Sequence, residues 1–567
     1  MHTEPATGGT PPGVVPGAMA SGDVGRGAAA EAPAPDAERD ARPRSGHRWW
    51  RDPRWLALAA AAFAVVALQV KQRGTWSQNF YFDEMWRVDM IRSSDHLDVM
   101  FNIDAPFTLG WVLLMSALTG PLPYKPELYR LVAQAFLPLA VGVSSLVLLR
   151  ITAKEPLDRF GRRPARPVAA VAAGLAPALL TLVPALWRYY YFNNYLFEVA
   201  YVAALTWLAL SLDERRWAFG ALAVGIIGLP VFTIGGILVI PGFLACAAWW
   251  VHRSAPAVRR ARAVRLAATT AATAIAGLVV YVKLWRPVTV DYSVQSFWVT
   301  ENTTVGGELS LAGLLRKLVE QAHEQLLGER IMGGPGWVVA LATVVLIVSF
   351  AVGAASLGRR WPWILIIPAS AYLGAVGGAY AAHWPITLER VNLGFYWLVY
   401  LCAAYGVLRL LTLPFPRHPA LALPAMAALV ALLVPSPFPL TPTTYARWLT
   451  GDLDDVAAST APHNVVLAYH RVSHFYVHDR LINTEPDGPE RFTVVREKIG
   501  DLSLYDPIDH VPGDHGLQPG DMVWCVIPYD DGPDLSVKAC RWNDETRVEK
   551  VYEQRLTGTW IKGYRVR

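Results

Sequence analysis

Long apolar runs, separated by short polar or basic segments, dominate the chain from residue 55 to residue 435. Each run is close to the ~20 residues that an α-helix needs to cross a bilayer. Pro230 and Gly235–Gly236 interrupt the pair of runs at 217–251, which is the least regular part of the pattern. We predict about eleven transmembrane helices, at 55–70, 127–149, 167–186, 195–211, 217–230, 231–251, 265–284, 336–357, 362–381, 393–411 and 420–435.

Composition excludes the common soluble classes. Of the 567 residues, 53% are hydrophobic and 17% are charged, whereas soluble proteins average about 25% charged. Four cysteines are too few for a disulfide scaffold. The net charge of +5 is spread over short basic clusters between apolar runs. This distribution is typical of a multi-pass membrane protein and not of a nucleic-acid binder.

Two terminal segments differ from the apolar middle. Residues 1–50 are rich in Gly, Ala and Pro and have few large apolar side chains, which predicts a disordered tail. Residues 439–567 are polar, with alternating runs such as Asn464–Val477 and Met522–Pro528 between turn residues, which predicts a small α/β domain. Cys525 and Cys540 lie in this domain, and a disulfide or two free thiols fit the sequence equally well.

Basic clusters at 150–166, 215–216, 253–265 and 359–360 set the topology, because Lys and Arg stay on the cytoplasmic side. All four clusters are cytoplasmic, with a cytoplasmic N-terminus, only if Pro106–Thr119 does not cross the membrane. At 1.5 Å per residue that segment reaches about 20 Å, short of a ~30 Å core. The prediction is a membrane domain at 51–438 with outer loops at 71–126 and 285–335 and an extracytoplasmic 439–567 domain.

Two adjacent carboxylates, Asp83 and Glu84, lie among aromatic side chains shortly after the first span, followed by Arg87. Aromatic residues favour the membrane surface, where partial desolvation raises the pKa of a carboxyl group. A general base is therefore one interpretation of this stretch. An ordinary polar loop beside an aromatic belt is an equally good one.

Further ionisable residues lie where spans reach the outer surface. Taken singly they fit side chains that extend to the headgroups, but three arginines together suit a phosphate. These arginines are Arg130, Arg188 and Arg390, and the other candidates are Asp104, Glu198 and His383. The sequence contains no P-loop or dinucleotide motif, so nucleotide chemistry has no support.

A helical metal site at His470, His474 and His478 is disfavoured, because the surrounding β-branched and aromatic residues predict a strand. We therefore predict no histidine metal site.

The order of these features resembles the GT-C superfamily of membrane glycosyltransferases. An outer Asp83-Glu84 follows the first span, Asp104-Ala105-Pro106-Phe107 opens an interfacial segment, and Glu127-Leu128-Tyr129-Arg130 opens the next span. Pro385-Ile386-Thr387-Leu388-Glu389-Arg390 is similar to the late Pro-x-x-x-Arg loop of that family. Two positions depart from the family pattern: Ala105-Pro106-Phe107 replaces Pro-Pro-Leu, and Arg390-Val391 replaces Arg-Tyr.

The resemblance implies an inverting hexosyl- or pentosyltransferase that takes its sugar from a polyprenyl-phosphate carrier. Asp83 would accept the proton of the acceptor hydroxyl, and Arg390 with Arg130 or Arg188 would bind the leaving phosphate. The acceptor would be a glycan, a lipid or a protein. No cofactor is required, although Asp83 and Glu84 could instead hold Mg or Mn. A transporter or lipid flippase, and a non-catalytic membrane scaffold, remain the alternatives.

Overall fold

The structure is a computed structural model of the chain. It describes residues 53–72, 88, 91, 108–123, 125–153, 166–175, 194–285, 312, 316, 335–382, 393–412, 453–468, 477–485, 487–496, 517–528, 547–555 and 559–567.

The described part of the membrane domain consists of apolar helices. In chain order the helices are α1 (Pro53–Gln72), α2 (Leu109–Thr119), α3 (Pro126–Gln134), α4 (Phe136–Ala153), α5 (Arg166–Leu175), α6 (Tyr195–Ala209), α7 (Ala218–Phe232), α8 (Ile240–His252), α9 (Pro256–Val280), α10 (Gly336–Arg360), α11 (Pro362–Ala382) and α12 (Leu393–Thr412). A short 3-10 turn, Gly235–Val239, lies between α7 and α8, and Tyr281–Trp285 forms a wider turn after α9.

Four helical segments in the described part of the chain are long and apolar enough to cross a membrane. They are Leu128–Thr152, Gly235–His252, Pro256–Lys283 and Gly336–Arg359. Six other apolar helices are shorter, so the number of eleven crossings stays a prediction. The predicted span at 420–435 and the second half of 167–186 lie outside the described residues. These helices indicate a membrane protein.

Two sequence expectations for the helices can be compared with the structure. The interruption predicted within 217–251 is confirmed: α7 ends at Phe232, two residues after Pro230, and the chain turns at Gly235–Val239. The apolar segment at 106–119 forms α2, whose 11 residues correspond to about 16 Å of helix, less than a bilayer core.

Small residues bring the helices close together. α10 packs against α12, and each contributes a glycine to the contact. A Cβ at Gly406 would overlap the backbone of Ser349, and one at Gly353 would overlap the backbone of Cys402. Close backbone approach at small residues is the usual basis of helix association in membranes, where apolar burial provides little driving force.

Arginines collect at one end of the helical bundle, which we call the arginine-rich end. Arg150, in the last turn of α4, donates a hydrogen bond to the carbonyl of Leu210 and forms an ion pair with Glu214. Arg253, Arg259 and Arg262 lie in or beside the turn between α8 and α9.

A five-stranded mixed sheet forms from residues 464–566. Its strands are β1 (Asn464–Ala468), β2 (Phe492–Arg496), β3 (Met522–Pro528), β4 (Val548–Arg555) and β5 (Thr559–Val566), in the order β2-β1-β3-β5-β4. β1 is parallel to β2 and β3, while β5 is antiparallel to β3 and β4. Every residue of β1 is buried, as expected for a central parallel strand.

The two faces of the sheet bury different sets of side chains, because alternate residues of a strand point to opposite faces. One face, with Val466 and Trp524, belongs to a continuous buried cluster that also contains Trp111 of α2, Tyr129 of α3 and Val280 of α9. We call this the sheet end of the bundle. α9 begins in the arginine-rich end and finishes at the sheet end, so the two ends are separated by its length.

The predicted strand at 464–477 is too long. β1 stops at Ala468, and Val477 and His478 are helical and lead into the turn Asp479–Asn483. His470 and His474 lie outside the described residues, and no cluster of metal-ligating side chains occurs among those that are described.

Arg480, in that turn, links the segments before and after β1. Its guanidinium forms ion pairs with Glu485 and with Asp454, the latter at 2.9 Å. Partial burial opposes its charge, but the hydrogen bonds to Glu485 and Asp454 outweigh that effect and raise the pKa of Arg480. The side chain therefore stays charged and fastens the helical segment to the start of the domain.

Candidate functional site

Arg130 is the largest charged side chain buried in the sheet end. It lies in α3, a nine-residue helix with Pro126 at its first position, and its side chain has 0% exposure. Its neighbours Tyr129 and Ala133 belong to the buried cluster of the sheet end. Gln134, one helical turn further on, is also buried. A permanently charged guanidinium in such surroundings requires anionic or strongly polar partners.

Aromatic rings form the apolar part of this site. The rings of Trp111 and Phe136 are 5.5 Å apart, and both pack on Phe197, at 5.8 Å and 5.2 Å. Phe197 in turn contacts Phe232 at the end of α7. These rings exclude water from the end of the bundle, and charges interact more strongly in such low-dielectric surroundings.

Glu198 is buried in the first turn of α6. Its Oε2 atom accepts a hydrogen bond from the backbone N–H of Ile234, at 3.3 Å. Ile234 lies between the end of α7 and the 3-10 turn, where the backbone leaves its helical pattern. The predicted site residue thus has a structural task, which is to satisfy the backbone at this break.

Asn194, which immediately precedes α6, is the polar residue of this end that the sequence analysis missed. It is buried, its backbone carbonyl accepts the N–H of Glu198 at 2.8 Å, and its side-chain nitrogen Nδ2 has no acceptor among the described residues. A buried amide donor without an acceptor is uncommon and needs an explanation. A polar ligand that enters the sheet end would supply the missing acceptor.

The segment between α1 and α2 contributes two described residues to the same cluster. Val88 and Ile91 are three residues apart, helical and buried, and both belong to the cluster that holds Trp111 and Tyr129. These two residues, which follow the Asp83-Glu84 pair in the sequence, are therefore packed at the sheet end.

The structure describes two of the residues that the sequence predicted for the site, Arg130 and Glu198. They lie on α3 and α6, which pack against each other. The other predicted residues lie outside the described residues and their roles stay predictions: Asp83, Glu84, Arg87, Asp104, Arg188, His383 and Arg390. The Mg or Mn hypothesis concerns Asp83 and Glu84 and is likewise untested.

The thiols divide between the two parts of the chain. Cys246 and Cys402, in α8 and α12, are free and buried. Cys525, in the centre of β3, is disulfide-bonded. Its predicted partner, Cys540, lies outside the described residues.

Comparison with known proteins gives little. No family model and no curated protein matches the chain. ArnT from Cupriavidus metallidurans, solved bound to undecaprenyl phosphate, is 14% identical over 90% of this chain and 98% of that chain, with a TM-score of 0.35. ArnT in the apo state is 16% identical over 90% and 97%, with the same TM-score. A likeness at this level carries no argument about fold or activity.

Proposed function

We propose that this protein is an integral-membrane glycosyltransferase that moves a sugar from a polyprenyl-phosphate carrier to an acceptor on the extracytoplasmic side. The observation that carries the proposal is the fully buried guanidinium of Arg130 at the sheet end, on a helix that packs against α6, which the buried amide of Asn194 immediately precedes. The positive charge of Arg130 would attract the phosphate of a carrier-bound sugar, and an oxygen of that donor would accept from the amide of Asn194.

Two independent features support an extracytoplasmic sheet end. Arginines are concentrated at the opposite end of the bundle, and such residues stay on the cytoplasmic side. Cys525, which is disulfide-bonded, lies in the sheet at this end of the bundle, and disulfides persist in oxidising compartments.

This orientation determines the kind of sugar donor. Nucleotide sugars are made and kept in the cytoplasm, so an enzyme that acts outside must take its sugar from a membrane-borne carrier. The phosphate of such a carrier lies at headgroup depth. Arg130 is held at the end of the bundle, where it can meet a phosphate at that depth.

The chemistry is a single displacement. The acceptor oxygen attacks the anomeric carbon, the bond from that carbon to the phosphate oxygen breaks, and the electron pair leaves with the polyprenyl phosphate. Asp83 accepts the hydroxyl proton, a contribution typically worth about 10²–10⁴-fold. Arg130, with Arg188 and Arg390, stabilises the charge that develops on the phosphate. One displacement inverts the anomeric configuration.

Chain length is compatible with this role for Asp83. It lies five positions before Val88, which is buried in the cluster of the sheet end. Five residues of extended chain span at most about 18 Å. Asp83 therefore remains within reach of the same end of the bundle as Arg130.

A transporter or flippase fits the buried groups less well. Transporters bind near the bilayer midplane, at interrupted helices with charges. Glu198, the acid that would serve such a role, lies in the first turn of α6 and bonds to the backbone of Ile234.

The test separates donor binding from transfer. Purified full-length protein in detergent is titrated with labelled polyprenyl-phosphate sugars, and transfer is then measured in membranes that contain the native envelope acceptors. Asp83→Asn should bind the donor normally and lose transfer by about 100-fold or more. Arg130→Gln should weaken donor binding as well.

Arg216→Gln is the matched control, because Arg216 is exposed at the arginine-rich end. It should leave both measurements unchanged. Normal transfer by the Asp83→Asn variant would exclude Asp83 as the base. Donor binding unaffected by Arg130→Gln would exclude Arg130 from the phosphate site.

A further inference from the structure

A cavity of about 290 Å³ opens at the arginine-rich end, where the ends of α6, α8 and α11 meet. Four indoles, those of Trp249, Trp250, Trp361 and Trp363, line it, and its charged residues are Asp213 and Arg253. The cavity lies at the opposite end of the bundle from Arg130, so it is separate from the proposed transferase site.

Three of the four indoles are held by contacts with neighbouring side chains. Trp250 stacks on Phe219 at 5.3 Å and carries the guanidinium of Arg262 over its ring at 4.0 Å. Trp361 and Trp363 meet edge to face at 5.5 Å. The cavity is therefore formed before any ligand enters.

The turn that carries Arg253 is fixed as well. Arg259 donates from Nε and Nη2 to the carbonyl of Ser254, at 3.2 Å and 3.1 Å, and Arg262 donates to Ser254 Oγ at 2.6 Å. The backbone N–H of Arg253 bonds to the carbonyl of Trp249 at 3.1 Å. These bonds fix the backbone from which Arg253 extends.

Arg253 and Asp213 differ from the arginines around them. Arg150 is paired with Glu214, and Arg215 lies over the rings of Trp207 and Trp217. Within the described part of the chain, neither Arg253 nor Asp213 has a side-chain hydrogen bond or an ion pair. The cavity thus offers one unused positive and one unused negative group.

We propose that this cavity binds a phosphate–ammonium zwitterion, of the kind carried by an ethanolamine phospholipid headgroup. The guanidinium of Arg253 matches the phosphate in charge and hydrogen-bonding geometry. Asp213 accepts the ammonium N–H groups, and the indole faces attract the same cation. The charges of the lining sum to zero, which suits a zwitterion better than an anion.

The depth of the cavity agrees with a lipid source. Trp side chains favour the headgroup level of a bilayer, and the cavity lies where the membrane helices end. A soluble phosphoethanolamine offers the same two charges, so the experiment includes both sources.

Detergent-purified full-length protein is titrated with dioleoyl phosphatidylethanolamine, dioleoyl phosphatidylglycerol and soluble glycerophosphoethanolamine, and bound ligand is counted by native mass spectrometry. Phosphatidylethanolamine should bind at least about tenfold more tightly than phosphatidylglycerol. Arg253→Gln and Asp213→Asn should each weaken it about tenfold, as expected for one charge-assisted contact. Arg260 is exposed and lies outside the cavity, so Arg260→Gln should leave the binding of phosphatidylethanolamine unchanged.

Tighter binding of the lipid than of the soluble compound assigns the site to the membrane leaflet, and equal binding assigns it to a soluble ligand. Equal affinity for the two phospholipids would overturn the proposal. Unchanged binding of phosphatidylethanolamine to both Arg253→Gln and Asp213→Asn would also overturn it, provided that both variants unfold thermally like the wild type. None of these readouts depends on glycosyl transfer.

Discussion

The carboxylate of Glu198 and the backbone N–H of Ile234 form a hydrogen bond of 3.3 Å that joins the start of α6 to the break after α7. The backbone N–H of Thr233, the C-cap residue of α7, donates to the carbonyl of Leu229 in the same helix. The N–H of Ile234 instead donates to the side chain of Glu198 in α6. An acid that the sequence marks as a functional candidate is thus part of the framework that shapes the sheet end.

Replacing Glu198 should therefore affect stability first. Glu198→Ala removes the acceptor and leaves a buried N–H unsatisfied, at a cost of about 1–3 kcal/mol. Glu198→Gln keeps a carbonyl acceptor and should lose clearly less. Thermal unfolding in detergent measures both; equal losses for the two variants would contradict the role given to the hydrogen bond.

Asn194 should show the opposite behaviour. Its Nδ2 has no acceptor in the part of the chain that the structure describes, so Asn194→Ala should change stability by less than about 0.5 kcal/mol. If the amide binds the donor, as the proposed function requires, donor affinity should fall about three- to tenfold. Titration with labelled donor measures this. A large loss of stability with unchanged affinity would show that Asn194 is a framework residue.

The contact between α10 and α12 should not tolerate a side chain. Gly406→Ala places a methyl group against the backbone of Ser349 and should cost about 1–3 kcal/mol through overpacking. Gly377→Ala in α11 is the matched control, because nothing lies within 4 Å of the added atom. Comparable unfolding temperatures for the two variants would mean that α10 and α12 can move apart without a loss of stability.

Thiol counting tests the disulfide. Denatured protein should show two free thiols, those of Cys246 and Cys402, and four after reduction. Peptide mapping without reductant should link Cys525 to another cysteine, for which Cys540 is the candidate from the sequence. Reduction should destabilise the sheet by about 2–5 kcal/mol. Four thiols before reduction would remove the support that the bond gives to an extracytoplasmic sheet end.

Asn464 should be the most sensitive polar position of the sheet. It is fully buried at the start of β1, where Oδ1 accepts from Trp524 at 3.0 Å and from Ser459 at 2.7 Å. Asn464→Leu leaves both donors without their acceptor and should cost about 2–4 kcal/mol. Hydrogen exchange in β1 of the full-length protein is the measurement. Protection equal to that of the wild type would show that the sheet does not depend on this side chain.

Local patterns were sufficient for part of this architecture. Pro230 and Gly235–Gly236 marked the break between α7 and α8, and the apolar run at 106–119 predicted a short helix, which is α2. The end of β1 at Ala468 was missed, because the apolar run continues to Val477 and propensity alone does not separate a strand from the helical turn that follows.

The sites needed tertiary structure. Arg130 could be proposed from its position at the start of a span. Asn194 looked like an ordinary loop residue, and only the structure shows that its amide is buried without an acceptor among the described residues. The indoles of the cavity come from helices far apart in sequence: Trp249 and Trp361 are neighbours only because α8 packs on α11. The hydrophobic periodicity of a single segment cannot predict a contact between two distant helices.

The arginine-rich end has an electrical consequence for how the protein stays oriented. Arg259 and Arg262 are held to the turn between α8 and α9, so they would have to cross the bilayer with that turn if the chain inverted. In a cell with a negative interior, each unit charge resists such transfer by about 2.3 kcal/mol per 100 mV. If the arginine-rich end faces the cytoplasm, as the proposed function requires, the membrane potential therefore opposes inversion of the chain, and this opposition weakens when the potential collapses.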